Sequence, residues 1–310
     1  GGGLWLLERH VTTHPERPEV AVSVRLCACP EWMPAELSRR IAGDLLPEDA
    51  DLHDADLAER VYRAGESNPW IRTVRSVNKR PTDRPGLGVV EVRAEYRMPA
   101  GRVAIPGRTE QAYVSDDGYR LPADVPRWIA WTKAADGRPK RRAFLESWNI
   151  PRGVEVAPVH YPVIATTPDQ QCPEVGDPWP GEAVRVGLRL VELFRQPIEW
   201  ARQIQVVDVR DTEELRLIAE PHAGGPQTVI RFGRLSDPEG DYNLPEEVKL
   251  ANLAEYCRRT GGRLAGVHQE IDLRREDLGL IGYATDPPRR IDPDRGLGRR
   301  RRSPRMRAAR

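Results

Sequence analysis

No stretch of this 310-residue chain is apolar for long enough to suggest a membrane span. Its longest run free of Asp, Glu, Lys and Arg is Val156–Pro168, which holds three prolines. A spanning helix needs about 20 mostly apolar residues. Cysteine is scarce, with four in the chain. Cys27-Ala28-Cys29 is a C-x-C, while Cys172 and Cys257 stand far off, so the paired C-x-x-C spacing of a zinc site is missing. Buried free thiols or one incidental disulfide are the simpler readings. Enzyme signatures are missing as well. There is no G-x-x-x-x-G-K-[ST] phosphate loop, no G-x-G-x-x-G after a strand and no G-x-S-x-G elbow. Gly86-Leu87-Gly88 lacks the third glycine and the helix after it. Aromatics make up only 6% of the chain, yet eight of these 19 residues are Trp, an uneven use of large anchors.

What is present is charge, Pro and Gly. Charged residues are 31% of the chain and Gly plus Pro number 55, so short elements and many turns are expected. The net charge of +1 conceals an asymmetry. From Pro287 to Arg310 ten Arg face two Asp, a net +8, which leaves −7 on the other 286 residues. A uniformly basic nucleic-acid-binding body is excluded.

The alternation Val20, Val22, Val24, Leu26 predicts a strand over 20–26. Leu37, Ile41 and Leu45 at i, i+4, i+8 predict a helix over 34–46, stopped by Pro47. A second short helix is expected over 54–64, with Gly65 as its C-cap. Strands are expected at 70–77 and 89–97. In the latter, Val90, Val92, Ala94 and Tyr96 oppose Glu91, Arg93, Glu95 and Arg97, the mark of a sheet with one wet face. Two short helices could cover the single buried face of such a sheet. Residues 112–121 read as a hairpin around Asp116-Asp117-Gly118. Residues 123–158, rich in Pro, Arg and Trp, read as an irregular insertion. Then come a strand at 162–164, a helix over 179–194, strands at 203–209, 214–219 and 227–232, and a helix over 245–259. Strands at about 267–274 and 279–284 close the series. From Asp286 onward no apolar set offsets the entropy of ordering, which predicts disorder. No long-period internal repeat is evident.

Chemistry-bearing clusters are few. His10 and His14 have the i, i+4 spacing that places two imidazoles on one helical face. Val11-Thr12-Thr13 between them and Pro15 directly after are not a helical setting, and the pair reads as part of a solvated segment. Asp116-Asp117-Gly118 reads as a hairpin turn before half a calcium loop or an acid pair, since the other ligands of such a loop are missing. Asp208 and Asp211 flank Arg210 and read as a solvated strand end. No catalytic residue, metal or cofactor is expected. The run Arg299, Arg300, Arg301 and Arg302 admits three readings: pairing with nucleic-acid phosphates, lying on anionic lipid, or a solvated end. No aromatic is interleaved to stack on bases, which argues against nucleic acid.

Several motifs fall in one order. They are Asn68-Pro69-Trp70-Ile71-Arg72-Thr73-Val74, the strand end Glu95-Tyr96-Arg97-Met98-Pro99-Ala100, and Tyr113-Val114-Ser115-Asp116-Asp117-Gly118 with Leu121-Pro122. Tyr161-Pro162-Val163-Ile164, Gly176-Asp177-Pro178-Trp179, Arg231-Phe232-Gly233, Lys249-Leu250 and Ile271-Asp272-Leu273-Arg274 follow. Together they resemble the bacterial division family FtsQ/DivIB, over about residues 20–284. Met98-Pro99-Ala100-Gly101 and the long segment 123–158 depart from its pattern.

The resemblance implies an α+β fold. A β-α-α-β-β POTRA-like domain would span 20–100. A mixed domain on a largely antiparallel sheet would span 101–285, and a disordered Arg-rich tail 286–310. Residues 1–19 would be an N-terminal segment after a membrane anchor absent from this sequence. Leu4-Trp5-Leu6-Leu7 reads as the outer end of that anchor or as an ordinary apolar start. Also implied is a non-enzymatic scaffold of a single-pass protein, outside the cytoplasmic membrane, with FtsB/FtsL-like coiled-coil partners. In the family the partner adds a strand to the last strand. By position that surface is Arg275, Asp277, Leu278, Ile281, Gly282 and Tyr283. From spacing alone, 279–284 reads instead as a closing strand with Tyr283 in the core. A POTRA-type protein of outer-membrane assembly or transport is an alternative that needs a downstream barrel; a polyanion binder acting through the Arg tail is another.

Overall fold

Two narrow apolar stripes organise the first unit. Leu37, Ile41 and Leu45 line one face of α1 (Ala35–Asp44) and the residue after it, and all three are buried. Leu57 and Val61 do the same for α2 (Leu57–Ser67). The computed structural model describes residues 21–83, 87–133, 139–145, 155–195, 199–221, 225–235 and 244–282. In it both helices pack on one side of a three-stranded sheet made of β1 (Ala21–Cys27), β2 (Ile71–Pro81) and β3 (Leu87–Tyr96). The strand order is β1-β3-β2, with β1 parallel and β2 antiparallel to β3. Val90 and Val92 of β3 are buried with the helices. Glu91 and Glu95 lie on its other face, where Glu91 meets Arg25 and Arg80 and Glu95 meets Arg75.

Gly65 is not the cap of α2. The helix runs on to Ser67, and Gly65 lies inside it against β2. A Cβ there would sit 2.7 Å from Val74 Cγ2. A closer approach of helix to strand, rather than a left-handed turn, explains the glycine.

The second unit is an eight-stranded mixed sheet. Its strands are β4 (Pro99–Ala104), β5 (Gln111–Ser115), β9 (Val163–Ala165), β10 (Ile204–Asp208), β11 (Leu215–Ala219), β12 (Thr228–Gly233), β13 (Glu270–Asp272) and β14 (Gly279–Ile281). The order is β14-β13-β12-β11-β10-β9-β4-β5, with four antiparallel and three parallel pairings. Helix α3 (Ala183–Leu193) connects the parallel neighbours β9 and β10, and α4 (Glu246–Arg259) connects the parallel neighbours β12 and β13. Parallel neighbours need such a crossover, because a tight turn can only reverse the chain. Both helices pack into one core with the inner row of the sheet, including Leu188, Leu190, Phe232, Leu253 and Ile271. The fold class is α+β, as expected.

Residues 123–158 are not irregular throughout. They contain a small antiparallel sheet, ordered β7-β6-β8, from β6 (Trp128–Lys133), β7 (Pro139–Leu145) and β8 (Glu155–Pro158). Trp128-Ile129-Ala130-Trp131-Thr132 carries aromatic and β-branched residues suited to a strand. Its shortness and the surrounding Pro and Arg obscure the period. The two units also share a core, since Leu121, Val125 and Tyr161 are buried with the apolar residues of α1 and α2.

Leu4–Leu7, His10, His14, Gly86, Tyr283 and the Arg tail, including Arg299, Arg300, Arg301 and Arg302, lie outside the described residues. Among the described residues no helix is long and apolar enough to cross a membrane.

Candidate functional site

Of the acidic candidates of the sequence, Asp116, Asp117 and Asp208 meet arginines, whereas Asp211 Oδ1 accepts from the Glu213 amide at 2.9 Å. Asp116 Oδ1 accepts from Arg72 Nη2 at 2.8 Å and from the Met98 amide at 3.2 Å. Asp117 Oδ2 accepts from Arg72 Nε at 3.2 Å and from Arg97 Nε at 3.1 Å. Ser115 Oγ donates to Asp117 Oδ1. Gly118 supplies the left-handed φ of +86° that the turn requires. The pair therefore closes a hairpin and clamps it to β2 and to the buried Arg97, whose guanidinium lies 3.8 Å over the Tyr119 ring.

Asp208 and Asp272 are each held by the arginine two residues on. Arg210 gives Nε to Asp208 Oδ1 at 2.9 Å and Nη2 to Oδ2 at 2.6 Å. Arg274 repeats this on Asp272 at 2.9 and 2.7 Å. Burial pushes the Asp208 carboxyl up, but the Arg210 fork outweighs it and holds the group below the usual carboxylate value. The Arg274 fork likewise depresses Asp272. A general acid or base works best near neutral pKa, and both carboxyls are moved away from it. Among the described residues no three His, Cys, Asp or Glu side chains gather where they would hold a metal ion.

The margins of the large sheet differ more. Side chains on one face form a cross-strand row: Ala112, Val103, Ile164, Val207, Leu217, Ile230, Ile271 and Leu280, each the register partner of the next. The first seven are buried. Leu280, the eighth, is 45% exposed. On the other face Ile281, paired with Glu270, is 54% exposed.

At the β5 margin the chain covers its own edge. The Leu121 amide donates to the Tyr113 carbonyl and the Ser115 amide to the Tyr119 carbonyl, both at 2.9 Å. At the β14 margin no described strand lies outside Gly279–Ile281. An outer strand presents unpaired N–H and C=O groups that can template another strand.

The sequence-derived residues divide accordingly. Arg275 and Asp277 are exposed on the turn before β14, which Asn252 Nδ2 fastens by donating to the Glu276 carbonyl at 3.1 Å. Leu278 packs against the core. Ile281 lies on the margin, and Gly282 leaves it with φ +77°. Leu280 is missing from the sequence-derived set. Strand alternation next to the buried Ile271 is the signal that finds it.

The margin also has an internal counterpart. The succession β9-α3-β10-β11 recurs as β12-α4-β13-β14, each with a parallel crossover and then an antiparallel return. The Asp-Val-Arg and Asp-Leu-Arg forks fall at the same place in both. The amide after each Asp donates to the parallel neighbour, Val209 to Ala165 O and Leu273 to Arg231 O, both at 2.9 Å. In the first succession β12 covers the outer side of β11. In the second, the equivalent side of β14 is the sheet margin.

No family model matches this chain, and no curated protein matches it.

Proposed function

We propose that this chain is a non-enzymatic extracytoplasmic scaffold of bacterial cell division, which recruits an FtsB/FtsL-like partner by adding its strand to β14. One observation carries the reading: the last strand repeats the position of β11 but has no described strand where β11 has β12, and its core-face residue Leu280 stands 45% exposed. The β-α-α-β-β order of the first unit, with β1 parallel to β3, supports it too. An added strand would gain roughly 0.5–1.5 kcal/mol net per backbone hydrogen bond. It would also cover the aliphatic row end at Leu280. Main-chain pairing supplies affinity, and alternate side chains supply specificity.

The test is binding of a peptide from an FtsB-like partner, read by calorimetry. Leu280→Asp and Tyr283→Ala should each weaken it by roughly tenfold or more, as for interface anchors, with circular dichroism unchanged. Undiminished binding by both folded variants removes the edge assignment. Binding of no divisome peptide by the unmodified chain removes the division reading itself.

A further inference from the structure

A cleft of about 430 Å³ opens where the inserted β6–β8 sheet meets the large sheet, and Arg102, Tyr113, Arg127, Val159, His160 and Tyr161 line it. Its walls are fixed. The two ends of the insertion are joined by the Val159 amide donating to Arg127 O at 2.8 Å. Tyr161 Oη donates to Pro126 O at 2.8 Å. Arg102 Nε on β4 donates to Tyr161 O at 3.0 Å. The Tyr113 and Tyr161 rings meet edge to face with centroids 5.6 Å apart. His160 Nε2 lies 2.6 Å from Ile204 O, so that nitrogen carries the proton.

Among the described residues that line this cleft, the formal charge is all positive. Elsewhere guanidinium groups meet carboxylates, as at Arg72, Arg97, Arg210 and Arg274. Among the described residues no carboxylate reaches Arg102 or Arg127, and none lines the cleft. A guanidinium has five N–H donors, and Arg102 engages one of them, on a neutral carbonyl. Two cations beside the half-buried Tyr113 ring, which the buried Tyr161 backs, match an oxyanion carried on a flat apolar body. Arginine holds a carboxylate or phosphate with two parallel hydrogen bonds. The volume lies within the range of small-molecule sites, which favour junctions between domains.

We infer that this cleft binds the carboxylate or phosphate end of a ligand with an apolar or aromatic body, held by Arg102 and Arg127 against the half-buried Tyr113, with the buried Tyr161 behind it. The inference does not rest on the edge-strand reading, since the cleft lies at the other end of the sheet order.

Benzoate and phenyl phosphate are the probes, with benzamide as the uncharged control, titrated into the whole chain and followed by amide NMR shifts. Both anions should shift Val159 and Tyr161, and benzamide should bind at least tenfold more weakly. Arg127→Gln should weaken the anions several-fold. Arg102→Gln with Arg127→Gln should weaken them roughly tenfold or more, as expected for lost charge-assisted bonds, with circular dichroism unchanged. The tighter of the two anions identifies the ligand as carboxylated or phosphorylated. Benzamide binding as well as benzoate overturns the proposal. So does undiminished binding by folded Arg127→Gln, which separates loss of charge from any loss of the Arg102 hydrogen bond, or absence of shifts at the solubility limit of both anions.

Discussion

The successions β9-α3-β10-β11 and β12-α4-β13-β14 follow one plan, yet one is sealed and the other open. The sealed unit has a five-residue return strand between two neighbours. The open one has a three-residue return strand with a single described neighbour. Their helices differ too. Helix α3 buries Val184, Gly187, Leu188, Leu190 and Val191. Helix α4 buries Glu246 and Lys249 beside Leu253, Tyr256 and Cys257. Lys249 Nζ donates to Arg234 O at 2.8 Å and sits 4.7 Å from the Phe232 ring centroid. Glu246 receives Arg189 of α3 at 2.9 Å. One topology thus serves as interior filling where another strand pairs beside it, and as a sheet margin where no described strand does.

The largest test uses one substitution at two places in the same row. Leu217→Asp puts an unpaired charge into the buried interior, which costs about 4 kcal/mol or more. Leu280→Asp, at a half-exposed position, should cost less than about 1 kcal/mol. Urea titrations of both variants read the difference. Similar losses would mean that the β14 margin is covered within the chain itself, and the contrast between the units would fall.

Next is the lysine of the open unit. Burial pushes the Lys249 amine down to about 8, and Glu246 opposes the shift. The folded value lies below the unfolded one near 10.5, so between the two the unfolded chain holds more protons. Stability attributable to this group therefore rises from about pH 8 to pH 10.5, by on the order of 2 kcal/mol. Burial raises the Cys257 thiol from 9.0 to about 12, so its contribution falls as pH climbs above 9 and blunts the upper part of that rise. Urea midpoints between about pH 7.5 and 9 isolate the lysine. Lys249→Met should abolish the rise, and a rise that persists would reassign it.

The sealed unit has its own sensitive point at Gly187, where a Cβ would lie 2.5 Å from Ile164 Cγ2. Helix α3 rides directly on β9 there, whereas α4 contains no glycine. Gly187→Ala should cost about 1–3 kcal/mol through overpacking, despite alanine's better helix propensity. A stabilised variant in thermal unfolding would show that α3 can lift from the sheet without loss.

How much of this was legible in the sequence depended on period. The stripe Leu37, Ile41, Leu45 and the alternation of Val90 and Val92 with charged residues marked their elements within a few positions, because each has one buried face. The β6–β8 sheet lacked that signal, its strands being short and crowded with Pro and Arg. The recurring unit was illegible for another reason. What recurs is pairing and direction, while the helices differ in length and share only leucine among their buried residue types, and only Asp-Val-Arg and Asp-Leu-Arg repeat in letters. Gly65 was misread because the letters of a close helix–strand contact and of a helix cap are the same. At the margin, alternation supplies Leu280, but only the strand order shows that its row ends there.

The two forks give the finest comparison. Each carboxyl is depressed below the ordinary 3.8. Each therefore contributes stability above the unfolded value that is lost as pH falls through the folded one. The arginines are partly exposed, 60% for Arg210 and 37% for Arg274, so solvent screening limits each pair to about 1 kcal/mol or less. Their surroundings differ. Arg274 also reaches Glu214 at 3.5 Å, within a network in which Arg231 meets Glu270 at 2.9 Å. Arg210 has Asp208 alone as its carboxylate partner among the described residues. In Asp272→Asn the guanidinium keeps a second carboxylate; in Asp208→Asn it does not, and the Asp208 side chain is the less exposed of the two acids, 10% against 16%. Asp208→Asn should therefore destabilise the chain more than Asp272→Asn in urea titrations at neutral pH, and both should flatten the acid limb of the stability profile. A larger loss at Asp272 would mean that the ion pairs of the open unit act as one cooperative lattice, and the unit with the bare margin would then be the stiffer of the two.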